Sequence, residues 1–177
     1  WIENILIIAG ISLDIFAAME IEGAMLADVK RKSLMIASTI GGMAFISSNV
    51  GAVHAFAETV GAWFDTPHGV ANSLFLPYIM EFNIPACPER FADIADAMGI
   101  EREESMSDEQ YALKAVEYVK ALNRKLNIPT IKEIKGITEE RFEAIAERSA
   151  NNVLSNDNAR KITKEDYLEL LKKAYNE

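Results

Sequence analysis

Cysteine is almost missing from this chain. Cys87 is the only one, so no internal disulfide can form, and a reducing, cytoplasmic setting is expected. With no histidine close to it in sequence, the Cys87 thiol reads as a small packed group rather than a nucleophile. Basic residues are also in deficit: 18 Lys and Arg face 27 Asp and Glu, a formal charge of −9. That balance argues against nucleic acid or anionic lipid as the main partner, because both require basic patches. Strand signals are scarce as well. No alternating Val, Thr and aromatic runs are joined by Asn-Gly or Asp-Gly turns, which argues against a β fold. Internal repeats, low-complexity tracts and linkers are absent.

What remains is a chain of 177 residues, half of them hydrophobic and a quarter charged. That is enough to bury one sizeable core, and a single all-helical domain over residues 1–177 is expected. The apolar start, from Ile5 to Met19, has no basic leader and no clear cleavage site, so no secretory signal is expected. Residues 33–57 carry no formal charge and pass a crude membrane window. They also contain Gly41, Gly42, Ser47, Ser48, Asn49, Gly51 and His54, so a buried core helix followed by a turn is the better reading.

Helix signals recur along the rest. Residues 28–45 read as a central, broadly apolar helix. Gly51 and Gly61 bracket a second apolar segment. Asp65-Thr66-Pro67 reads as the start of a third helix, with a side-chain cap and proline in the first turn. Glu89 to Met98 is amphipathic and closes at Gly99. Ser107 and Gln110 form a capping box ahead of an apolar stripe of Ala112, Ala115, Val116, Val119 and Leu122. Thr138 and Thr163 read as caps for two last helices. The pattern predicts an all-α bundle, apolar in its first half and amphipathic in its second.

Histidine is as scarce as proline is sparse: His54 and His68 are the only two, fourteen positions apart. Imidazole is the commonest metal-binding side chain. The pair is too widely spaced for one helical face, but two helices meeting at a turn over residues 61–67 could aim both inward. His68 would then sit at a helix N-terminus, near free amides and the positive end of the dipole. Glu58, four residues after His54, offers a carboxylate on the same face. Two imidazoles with carboxylate oxygen suit iron or zinc. Spacing alone equally allows a hydrogen-bonded core histidine and an exposed capping one.

The words around the histidines are more specific. Gly51-Ala-Val-His54-Ala-Phe-Ala, then Gly61-Ala-Trp-Phe-Asp-Thr-Pro67-His68-Gly69-Val-Ala-Asn72 and Leu76-Pro77-Tyr-Ile-Met-Glu-Phe-Asn83, closely resemble the signature of the iron-containing alcohol dehydrogenases, within the dehydroquinate-synthase-like superfamily. Ser38-Thr-Ile-Gly-Gly-Met-Ala-Phe45 resembles the preceding helix of that family. Residues 90–99, 126–129 and 158–167 resemble its later landmarks. The resemblance runs over residues 32–177; residues 1–31 fit less well.

The resemblance implies the helical C-terminal domain of a nicotinamide-dependent alcohol dehydrogenase or aldehyde reductase. Its members bind NAD or NADP mainly on an N-terminal Rossmann-like domain and hold one metal, Fe2+ or Zn2+, in the cleft between the domains. By the same resemblance His54 and His68 are metal ligands, Phe45 lines the substrate pocket, and Glu58 stands where many members carry a histidine near the nicotinamide. The full-length protein is then expected to act on a small alcohol or aldehyde as a homo-oligomer. Three departures stand out. The Asp-x-x-x-His motif that supplies the other two ligands has no third histidine to use here, and no Gly-rich strand-to-helix turn is present. Glu58 replaces the histidine just mentioned. Ser47, Asn49 and Leu154 stand where relatives often have Asn, Gly and Cys.

The expectation is therefore a truncated chain that is inactive alone. Two rivals remain: a non-catalytic helical module, and a membrane-associated fusion led by residues 1–24. The second draws on Asp14 within the apolar start, which vaguely resembles the first span of manganese-efflux membrane proteins.

Overall fold

The computed structural model describes residues 31–177, without the side chains of residues 31–35, Phe45, Ser47 and Ser48. Asp14 and the possible membrane lead at residues 1–24 lie outside the described residues. Seven α-helices account for most of the rest, joined by short 3-10 turns, and no strand occurs among the described residues. They are α1 (Arg31–Ser48), α2 (Ala52–Phe64), α3 (His68–Asn83), α4 (Pro88–Ala97), α5 (Asp108–Lys125), α6 (Phe142–Ala150) and α7 (Lys164–Asn176). The all-α expectation holds. No helix among these residues is long and apolar enough to cross a membrane.

The helix at the centre is α3, not α1 as its apolar composition suggested. Twelve residues of α3 are buried. One face, with Phe75 and Ile79, packs into a core shared with Phe56 of α2, Ile145 of α6 and Tyr167 and Leu171 of α7. The opposite face, with Leu76 and Met80, packs into a second core with Ile94 of α4 and Tyr111, Ala115 and Val116 of α5. Helix α1 instead leaves Ile36, Ile40, Met43 and Ile46 exposed, a stripe at helical spacing that nothing among the described residues covers. Apolar composition marks a face that wants burial; it does not say which helix ends up in the middle.

Proline inside α3 is tolerated because its damage is repaired. Pro77 has no N–H to give the carbonyl four residues back, which belongs to Ser73. The Asn123 side chain of α5 donates to that carbonyl at 2.6 Å. Burying α3 on both faces thus costs no unpaired acceptor at this turn.

Helix ends follow local chemistry where the cap is built from neighbours. Ser107 and Gln110 form the expected box: the Gln110 amide donates to Ser107 Oγ at 3.2 Å and the Ser107 amide to Gln110 Oε1 at 3.1 Å. Thr163 and Asp166 repeat it for α7. Helix α4 closes before Gly99, whose φ of 72° suits glycine. Thr138 precedes a short 3-10 turn, Glu139–Arg141, without a side-chain cap, and α6 follows directly.

The segment between α2 and α3 departs from expectation. Gly61 does not end α2, which runs on to Phe64, and Asp65 turns the chain with φ 52° and ψ 36°. Asp65 is therefore spent as the C-cap of α2. Pro67 is the N-cap of α3, with no side-chain cap bond, and Thr66 Oγ1 is buried without a partner among the described residues. Glycine at 61 serves close approach instead: a Cβ there would lie 3.2 Å from the Thr66 carbonyl oxygen.

A buried hydroxyl chain ties α2, α6 and α7 together. Thr59 Oγ1 donates to the Ala55 carbonyl at 2.9 Å, and Ser149 Oγ donates to Thr59 Oγ1 at 3.2 Å. Ser155 Oγ donates to the Ser149 carbonyl at 2.7 Å, which leaves the Tyr167 hydroxyl to donate to Ser155 Oγ at 2.7 Å. Burial pushes the Tyr167 phenol up to about 12. Every member has a partner, so the polar atoms add specificity to this core without leaving an orphan.

Candidate metal centre

Helices α2 and α3 pack against each other so that Phe56 and Phe75 stack, with ring centroids 4.2 Å apart. That packing carries the first turn of α2 towards the first residue of α3. His54 and His68 consequently meet with ring centroids 5.2 Å apart and planes tilted by 53°. His54 is half-buried, and His68 is exposed at the amino end of α3. Burial, then the nearby His68, lowers the His54 pKa to about 4, against the opposing pull of Glu58. A neutral imidazole is the form that a metal needs.

Asn72, one turn after His68 and fully buried, places Nδ2 2.8 Å from His68 Nε2. With the amide in this orientation, Asn72 Oδ1 is buried without a partner among the described residues. Rotating the amide by 180° keeps the heavy-atom geometry and lets Oδ1 accept from an Nε2–H instead. A buried acceptor beside a histidine is the outer partner that a metal-bound imidazole uses for its second N–H. The residues therefore fit a metal, as part of a ligand set: no group of three or more His, Cys, Asp or Glu able to hold an ion lies among the described residues.

Glu58 is exposed, and its Oε2 accepts from Asn152 Nδ2 at 2.7 Å. That bond joins α2 to the 3-10 turn Val153–Asp157, which begins after Asn152. Phe45 lies on α1, and its side chain is outside the described residues. Cys87, at the start of α4, is only partly buried; burial and Glu89 push its thiol up, away from thiolate chemistry.

Asn72 contacts His68, and three further asparagines tie neighbouring elements together; the sequence pointed to none of these contacts beforehand. Asn49, between α1 and α2, has φ 61° and donates Nδ2 to Asp157 Oδ2 at 2.6 Å. Asparagine tolerates the left-handed region that glycine adopts freely, which explains the residue seen there. Asn83 and Asn158 exchange side-chain amide bonds, Asn158 Nδ2 to Asn83 Oδ1 at 2.7 Å and Asn83 Nδ2 to Asn158 Oδ1 at 3.1 Å. Arg160 adds a bond from Nη1 to the Phe82 carbonyl at 3.0 Å, with its guanidinium 4.2 Å from the Phe82 ring centre. Only Asn72 had a local signal, its i, i+4 spacing from His68; the other contacts are long-range.

Residues 14–175 match the Fe-containing alcohol dehydrogenase family, C-terminal part. The match begins ahead of residue 32, where the resemblance first reads clearly. Lactaldehyde reductase of Escherichia coli (strain K12) is 37% identical over 144 residues, which cover 81% of this chain and 37% of that protein. 1,3-Propanediol dehydrogenase of Citrobacter freundii is 35% identical over 145 residues, 82% of this chain and 37% of that protein. Among solved structures, an alcohol dehydrogenase from Oenococcus oeni aligns with a TM-score of 0.82 and 35% identity, over 96% of this chain and 44% of that one. The chain spans well under half the length of the curated relatives it matches.

Proposed function

This chain belongs to the Fe-containing alcohol dehydrogenase family, as its helical C-terminal domain, and from that premise we propose that His54 and His68 are half of a metal site in a nicotinamide-dependent alcohol dehydrogenase or aldehyde reductase. The observation that carries the reading is the 5.2 Å approach of the two imidazoles, brought together from separate helices. When bound, Fe2+ or Zn2+ supplies Lewis acidity to the oxygen of a small alcohol or aldehyde, while NAD or NADP takes or gives the hydride. His54 contributes a lone pair that burial keeps unprotonated at neutral pH. His68 contributes the second, its ring steadied by the Asn72 amide. Phe45 belongs to the substrate pocket by the same family reading, and Glu58 lies on the nicotinamide side of the site.

The remaining ligands and the cofactor domain belong to the rest of a full-length protein, which we expect to be a cytoplasmic homo-oligomer. The isolated 177-residue chain should then show little or no NAD(P)-dependent alcohol oxidation, since it offers two imidazoles from its described part and no nucleotide-binding turn. Zinc or iron content after dialysis tests the ligand assignment. His54→Ala and His68→Ala should each lower it; unchanged metal content in both variants would sink the assignment. Robust alcohol oxidation by the isolated chain would sink the expectation of inactivity.

A further inference from the structure

Helix α2 carries His54 in its first turn, yet makes no cap of its own. Gly51 precedes it without a side chain to offer. A helix start leaves four amides unpartnered. One of them, Ala52 N–H, donates to Asn158 Oδ1 at 3.3 Å, across 106 residues of sequence. The Asn158 amide is fully used: Oδ1 also accepts from Asn83 Nδ2, while Nδ2 donates to Asn83 Oδ1 and to the Arg160 carbonyl at 2.7 Å. Asn83 ends the helix that His68 begins. Glycine at 51 is what admits this contact. A Cβ there would stand 3.0 Å from Asn158 Oδ1 and 3.2 Å from Asn158 Cα.

We propose that Asn158 is a positioning residue for the histidine pair: it caps α2 from outside and, through Asn83, holds the His54 turn in register with α3. It touches neither imidazole. Its effect on His54 passes through the Ala52 amide, two residues away, and its effect on the pair through the tie between the two helices. The consequence for metal binding rests on the reading of His54 and His68 as ligands; the capping itself does not.

Two histidines make the test direct, because ring nitrogen signals of the 15N-labelled 177-residue chain fall into two sets. Zinc ion alone is titrated while those signals, Ala52 amide exchange and the thermal midpoint are followed. In Asn158→Leu the zinc response should weaken on the order of tenfold or more, the metal-free His54 ring signal should move while that of His68 stays, and Ala52 should exchange faster. Asn158→Asp keeps the acceptor but gives up both Nδ2 donations, to Asn83 Oδ1 and the Arg160 carbonyl. Ala52 protection should therefore stay close to that of the unaltered chain, while the zinc response falls between those of the unaltered chain and Asn158→Leu. Should Asn158→Leu fail to fold, Gly51→Ala, which pushes the same amide away, must produce the same losses.

Unchanged Ala52 exchange and an unchanged His54 ring in these variants would overturn the proposal. So would equal losses of Ala52 protection in Asn158→Asp and Asn158→Leu that simply follow the thermal midpoint. If zinc moves neither ring in the unaltered chain, the metal reading fails, and the metal-free signals still decide the role of Asn158.

Discussion

Asn123 donates its side-chain amide to the Ser73 carbonyl at 2.6 Å, across from α5 to the middle of α3. That carbonyl lacks its usual donor four residues on, because Pro77 has no N–H. Removing the amide in Asn123→Leu should cost about 1–3 kcal/mol, the range for a part-buried acceptor that loses a hydrogen-bond donor. Restoring the backbone donor with Pro77→Ala should shrink that cost. Chemical denaturation of the two single variants and the double variant checks it: additive losses would mean that the two groups do not serve the same carbonyl.

The depressed pKa of His54 has a stability counterpart in the metal-free chain. An unfolded imidazole protonates near pH 6.5, whereas His54 stays neutral down to about 4. Between those values the unfolded state binds the extra proton, so stability should fall as pH drops from about 6.5 towards 4 and be unaffected by this group above that window. His54→Phe should flatten that slope in pH-dependent melting. An unaltered slope would place the titration elsewhere.

Tyr167 closes a buried chain of hydroxyls. In Tyr167→Phe, Ser155 Oγ keeps its bond to the Ser149 carbonyl and loses the donor it accepted from. A loss of about 1 kcal/mol is expected in denaturant unfolding. Any zinc response of the histidines should be unchanged, because the ring that meets Phe56 edge-on is kept.

Asn49 holds a left-handed backbone conformation at the entry to α2. Asn49→Val should destabilise the chain by roughly 1–2 kcal/mol, since a β-branched residue fits that region poorly. Asn49→Gly should be tolerated better, because glycine adopts that region freely, although it loses the exposed bond to Asp157. Thermal melts ranking valine equal to glycine would show that the backbone conformation is not what asparagine is there for.

How much was legible in sequence depended on the reach of each interaction. Ser107 with Gln110, and Thr163 with Asp166, are three residues apart, and both caps form as read. Asp65 looked like a helix start and became a helix end, because its left-handed turn closes α2 first. Pro77 reads as punctuation only until Asn123, on another helix, replaces the bond it breaks. The histidines were ambiguous by spacing and became specific through the words around them. Asn83 and Asn158 carried no local sign at all, since their partners lie 75 residues away.

The outside cap on α2 also orders events in time. Its acceptor lies 106 positions after the amide it serves, so the helix bearing His54 cannot receive that bond during synthesis until Asn158 has left the ribosome. Local hydrogen bonds let α2 coil early, but its first turn stays without this partner until a long loop closes. A nascent chain stopped anywhere before Asn158 would therefore lack this bond, and on the reading of His54 and His68 as ligands metal capture would be a late step in maturation rather than a nucleus for it.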